Sequence, residues 1–139
     1  KEIRKSQPSN VEYQIETARL FRTLAQLHEK PGDSEKTIEY SREALSLSEV
    51  LLETDKDVEN NNSFKIKHLL SVARDYGLLG RNLANLKDQF NLDEAIECIK
   101  KSQIKYKEAL EENPSNENAL KGYEWATDFL SKRIPKKTS

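Results

Sequence analysis

The feature that most constrains this chain is a helical spacing of apolar and small residues that runs almost from end to end. Such residues recur every three or four positions, the interval that puts side chains on one face of an α-helix. The first stripe is Val11, Ile15, Ala18, Phe21, Leu24, Ala25 and His28; the second is Ile38, Ser41, Ala44, Leu45, Ser48 and Leu52. No sustained two-residue alternation argues for a strand. Only four Gly and four Pro punctuate the 139 residues. Pro31-Gly32-Asp33 and Pro114-Ser115-Asn116 read as turns, and Pro8 and Pro135 sit near the two ends. The chain is expected to be all-α.

Five helices follow, at roughly 11–30, 34–53, 63–88, 92–112 and 116–132. Ser9 or Asn10 can cap the first and Asp33 or Ser34 the second, because a side-chain oxygen satisfies free amides of the first turn. The third is apolar over a wide arc: Ile66, Leu69, Leu70, Val72, Ala73, Tyr76, Leu79, Leu83 and Leu86. A helix of that kind is buried between neighbours. Gly77 and Gly80 lie inside it at a cost of ~1 kcal/mol each against Ala, which a close helix–helix approach explains. The fourth stripe is Ala95, Ile96, Ile99, Ser102, Tyr106, Ala109 and Leu110, and the fifth is Leu120, Tyr123, Ala126 and Phe129 or Leu130. The polar run from Thr54 to Asn62 reads as a mobile loop. Residues 1–10 form an N-terminal extension and 133–139 a short basic tail.

Charged residues make up 34% of the chain and apolar ones 35%, with 23 basic against 24 acidic residues. A net charge of -1 supplies no long-range attraction to nucleic acid or anionic lipid. No apolar run nears the ~18 residues of a membrane span, and the start lacks a signal-peptide pattern. Cys98 has no second cysteine to pair with, which fits a reducing, cytoplasmic setting. The chain begins at Lys1 and has no Met, so it reads as a piece of a longer protein.

Signs of catalysis are weak. His28 and His68 lack a ligand constellation around them; His28 lies in the first apolar stripe and reads as packing. Cys98, beside Ile99, reads as a buried small hydrophobe. Asp55, Asp57 and Glu59 have the look of a calcium loop without its turn glycine, and Ile66 stands where the bidentate Glu belongs. No glycine-rich phosphate loop occurs. Asn61-Asn62-Ser63 is a formal glycosylation acceptor and reads as chance. No enzyme activity, metal or cofactor is expected.

The fine spacing resembles the tetratricopeptide repeat (TPR), whose helix pair carries a large residue, then Leu-Gly/Ala, then a second large residue, followed by a turn and a second helix rich in small residues. Phe21, Leu24, Ala25 and His28 match the first half, Gly32-Asp33 the turn, and Thr37, Ser41 and Ala44 the second half. Ser41 stands in place of the usual aromatic, with Tyr40 one position away. Tyr76, Leu79, Gly80 and Leu83 match the first half of a second, longer unit. Leu92-Asp-Glu-Ala95-Ile96 and Tyr106-Lys-Glu-Ala109-Leu110 match the two ends of its second helix. Leu120 and Tyr123 resemble a capping helix, with Glu124, Asp128 and Lys132 outward. The resemblance covers about Ala18 to Leu130. It implies a TPR-like antiparallel helix-pair array: repeat 1 at about 11–53, loop 54–62, an elongated repeat 2 at about 63–113, and a capping helix at 116–132.

The resemblance also implies a concave face lined by alternate helices. Mapped onto this sequence, that face holds Arg19, Arg22, Gln26, Arg74, Leu78, Arg81, Asn85, Asn118, Lys121 and Trp125. Arg19, Arg22, Arg74, Arg81 and Lys121 are basic although the chain is net acidic. The expected function is protein–protein interaction, with a peptide or protein segment of acidic character held in the groove and Trp125 as an aromatic anchor. An ordinary solvated face with Trp125 as a packing residue is the alternative. Chaperone-tail binding is not expected, because Gln26, Leu78, Asn118 and Gly122 replace residues which that subclass uses. A regulatory or sensor domain of a signalling or transcription protein, and a plain helical bundle, are the other readings. Open array ends also allow a homo-oligomer.

Overall fold

The computed structural model describes residues 10–54 and 61–133. They form five helices: α1 (Asn10–Glu29), α2 (Ser34–Thr54), α3 (Asn62–Ala84), α4 (Gln89–Glu112) and α5 (Glu117–Arg133). Each packs antiparallel on the next in sequence, and α3 also meets α5. Residues 1–9 of the expected extension, with Ser9 as a cap, residues 55–60 of the expected loop and the tail beyond Arg133 lie outside the described residues, while Asn10 already belongs to α1. Among the described residues no helix is long and apolar enough to cross a membrane.

The turns follow from local chemistry. Gly32 takes a left-handed φ of 83°, a conformation that costs glycine little. Its N–H donates to the Glu29 carbonyl at 2.9 Å, and that of Asp33 donates to His28 at 3.0 Å. The Asp33 carboxylate then accepts from the Lys36 amide and caps α2. Asn61 and Asn116 do the same for α3 and α5, accepting from Ser63 and Ala119 at 2.9 Å.

The turn between α3 and α4 differs from expectation. The third helix ends at Ala84, not at Asp88, and the fourth starts at Gln89, not at Leu92. Lys87 adopts a left-handed φ of 63°. Asp88 becomes a cap, accepting from the Asn91 amide at 2.9 Å and from its side chain at 2.6 Å. Cap chemistry at Asp88 therefore outweighs the continuing apolar pattern at Leu86. The same bonds, led by that from the Asn91 amide, hold the Asp88 carboxyl below its ordinary pKa.

The wide apolar arc of α3 is buried as its composition implies. Leu45, Val72, Tyr76, Leu79, Leu83, Ala95 and Cys98 form one cluster among α2, α3 and α4. Leu69, Leu70, Ala73, Tyr106, Ala109 and Ala119 form a second among α3, α4 and α5. Ile99, Ala126, Phe129 and Leu130 join α4 to α5. Burial raises the Cys98 thiol to about 11, in keeping with a packing role. One expected core residue is misplaced: Leu120 is 40% exposed, while Ala119 is fully buried in its stead. The small Ala119 side chain lets the start of α5 sit close against α4.

Glycine marks each close approach. A Cβ on Gly80 would lie 2.6 Å from the Ile99 side chain, and one on Gly77 would lie 3.3 Å from the Trp125 ring. One on Gly122 would meet the Tyr106 ring at 2.1 Å. At the α1–α2 seam, Tyr40 lies between Phe21 and His28, with ring centroids 6.1 and 5.4 Å away. Ser41 is buried, and its hydroxyl has no hydrogen-bond partner.

A candidate binding cleft on alternate helices

Arg22 and Gln26 of α1, Arg74, Gly77, Leu78 and Arg81 of α3, and Asn118, Lys121, Gly122 and Trp125 of α5 line one cleft of about 310 Å³, with Tyr106 of α4 at its floor. Eight of the ten residues mapped from the sequence therefore meet in one place. Two do not. Asn85 is carried out of the cleft because α3 stops at Ala84, and it serves as the cap there, its N–H donating to Arg81. Arg19 faces an adjoining hollow with Lys67, Ser71 and Arg74. Lys67 was missed by sequence reasoning. It lies seven residues before Arg74, two turns along the same helix face, and that spacing was the available signal.

The cations of the cleft fall into two groups. Arg22 crosses from α1 to α3, where its guanidinium grips both oxygens of Asp75 at 2.6 and 3.0 Å. Ser48 of α2 donates to the same carboxylate at 2.8 Å. Asp75 is fully buried, and burial lifts its carboxyl above the ordinary range more than the bonds from Arg22 and Ser48 lower it. Arg81 makes the second crossing, with two bonds to Glu29 at 2.6 and 2.8 Å; Asn82 adds a third at 2.9 Å. Burial raises the Glu29 carboxyl, but the bonds from Arg81 and Asn82 outweigh it and leave the group below its usual pKa. These two arginines are committed to joining α1 to α3. Arg19 is paired with Glu16 at 3.0 Å on the surface.

Arg74 and Lys121 make no ion pair among the described residues. They stand on facing walls, on α3 and α5. Trp125 completes the site. Its ring packs on Gly77 and Phe129 and lies 5.7 Å from the Arg81 guanidinium. It is both a packing residue and a wall of the cleft. The arrangement offers two uncommitted cations, the amides of Gln26 and Asn118, and an aromatic and aliphatic surface from Trp125 and Leu78. Among the described residues no group of three His, Cys, Asp or Glu is placed to hold a metal ion.

The chain was compared with protein families, curated proteins and solved structures, and none matches.

Proposed function

We propose that this chain is a TPR-like scaffold that binds an acidic peptide segment of another protein in the cleft between α1 and α5. The observation that carries the reading is the pairing of uncommitted charge with an aromatic wall: Arg74 and Lys121 face the space that Trp125 borders. A carboxylate entering it meets two cations that form no ion pair among the described residues, and Arg74 can hold it through two parallel bonds. An apolar side chain next to that acid would lie on Leu78 and Trp125. The volume suits a few side chains of a partner and not a whole helix. The sequential antiparallel packing of five helices and the close contacts at Gly77 and Gly80 support the repeat-like part of the reading.

The internal bridges decide which substitutions test it. Replacing Arg22 would disturb the fold, since it holds buried Asp75; Arg74 and Lys121 can be changed without breaking an ion pair. Trp125 is the only tryptophan, so its fluorescence reports on the cleft directly. Titration with a short Glu-rich peptide carrying a central Leu should change that fluorescence, and a Lys-rich counterpart should not. The Arg74→Glu/Lys121→Glu variant should bind at least tenfold more weakly, in line with loss of charge-assisted bonds worth ~1.5–3 kcal/mol each. Equal affinity of the variant and the parent would sink the reading.

A further inference from the structure

Three of the seven large hydrophobic side chains exposed among the described residues lie on one helix. Tyr13, Leu20 and Leu27 of α1 are 62%, 56% and 55% exposed. They are spaced seven residues apart, so they form one stripe on the side of α1 away from buried Ala18 and Ala25. Thr17 and the half-buried Leu24 fall between them. The run Tyr13, Thr17, Leu20, Leu24, Leu27 alternates four- and three-residue steps, which is the seam of a two-stranded coiled coil. As the first helix of the array, α1 packs substantially only on α2, and no described element covers this side.

We infer that the stripe pairs with the same stripe of a second copy, as an antiparallel α1–α1 contact about a two-fold axis. The argument is self-complementarity. In antiparallel packing a residue of one seam row faces one of the other row. Setting Leu20 against Leu24 of the second copy also sets Thr17 against Leu27, and the two-fold axis repeats both layers in reverse. This register brings the flanking Glu16 of each copy opposite Lys30 of the other and places Thr23 at the axis. A parallel pairing would instead set Glu16 of each copy beside Phe21 of the other, where no cation meets it. Lys30 makes no ion pair among the described residues, and Glu16 is held only by the exposed Arg19, a contact weak enough to exchange. Phe21 and His28, on the other flank, are occupied by Tyr40, so the free flank is the one that carries the complementary charges. A single helix pair buries less than the standard interface, and the dimer is therefore weak and concentration-dependent. It leaves Arg74, Lys121 and Trp125 open, so it holds whether or not the cleft binds peptide.

Sedimentation equilibrium over a wide concentration range tests it. The chain should shift from monomer to dimer as concentration rises. Leu20→Glu should be monomeric throughout with an unchanged helical circular dichroism spectrum, because Leu20 is exposed. Glu16→Lys should weaken the dimer by about tenfold, from two lost cross-pairs and new like-charge contacts. The reciprocal change, Glu16→Lys/Lys30→Glu, should restore it. A parent chain that stays monomeric at high concentration overturns the inference and leaves the stripe to a different protein. So does a dimer that Leu20→Glu leaves intact, or one that the charge reversal fails to restore.

Discussion

The two halves of this molecule are joined by different means. Where α1 meets α2, the contacts are small and polar. Ala18, Ala25 and Ala44 line the seam with buried Thr37, Ser41 and Ser48, and a buried Arg22–Asp75 pair joins it to α3. Where α4 and α5 meet α3, the contacts are large and apolar: Leu69, Ile99, Tyr106, Phe129 and Leu130, fitted against Gly77, Gly80 and Gly122. The first half draws specificity from hydrogen bonds that work in only one geometry. The second draws stability from area and close packing. The cleft lies where the two meet, with one wall from each.

The largest effect is expected in the apolar half. Ile99 is fully buried, touches the position a Gly80 Cβ would take, and packs with Ala126, Phe129 and Leu130. Ile99→Ala should cost about 4 kcal/mol, from lost transfer energy plus the cavity left behind. Urea unfolding followed by circular dichroism measures it. A loss under ~1 kcal/mol would mean that α5 is loosely docked, and the contrast between the halves would fail.

The polar half should respond less, and in a way that depends on pH. Arg22→Met removes the cation from a buried carboxylate and should cost about 3 kcal/mol at neutral pH. Burial already raises the Asp75 carboxyl in the folded state, and loss of Arg22 raises it further. An acid with a raised folded pKa binds more protons folded than unfolded in the window just above the ordinary carboxylate range. Stability is therefore lost as pH rises through that window and recovered as pH falls. The deficit of Arg22→Met should shrink on acidification, and Asp75→Asn should remove most of that pH dependence. Glu29 works in the opposite sense: its lowered pKa gives stability that is present above the ordinary carboxylate range and lost below it. A deficit in Arg22→Met that is flat with pH would show that Asp75 is not buried as a charge.

The sequence made the apolar half easy to read and the polar half hard. Stripes of Leu, Ile and aromatic residues announce helices and their inward faces, and glycines inside α3 announce close approach. The cleft was legible to the extent that alternate helices share a face, which brought Arg22, Arg74, Arg81, Lys121 and Trp125 together. Hidden were the partners. Nothing in the spacing of Asp75 marks it as buried, because an acid within a wide apolar arc looks like any helix-surface acid until α1 brings Arg22 to it from 53 positions away in the chain. Glu29 neutralising Arg81 was hidden for the same reason. The expected strongly basic groove is thus reduced to Arg74, Lys121 and the adjoining Lys67. The boundary at Ala84 was missed because the capping power of Asp88 competes with an apolar pattern that runs through Leu86.

The smallest effects should be equal in the two halves, and that equality isolates what differs between them. In the first, the Thr37 hydroxyl donates to the Ala25 carbonyl at 3.1 Å. In the second, the Ser102 hydroxyl donates to the Ala73 carbonyl at 2.7 Å. Each joins a second helix to the backbone of the first, and each acceptor already serves its own helix ladder. Thr37→Val and Ser102→Ala remove a donor without stranding a buried acceptor, so each should cost only about 1 kcal/mol. Thermal unfolding of both variants reads the difference. Matching losses would mean that inter-helix hydroxyl bonds are a shared background, and that the Arg22–Asp75 and Arg81–Glu29 crossings are what set the first half apart. A much larger loss at Thr37 would instead mean that its bond helps to hold the thinly packed α1–α2 seam together, beside a Ser41 that contributes no bond of its own.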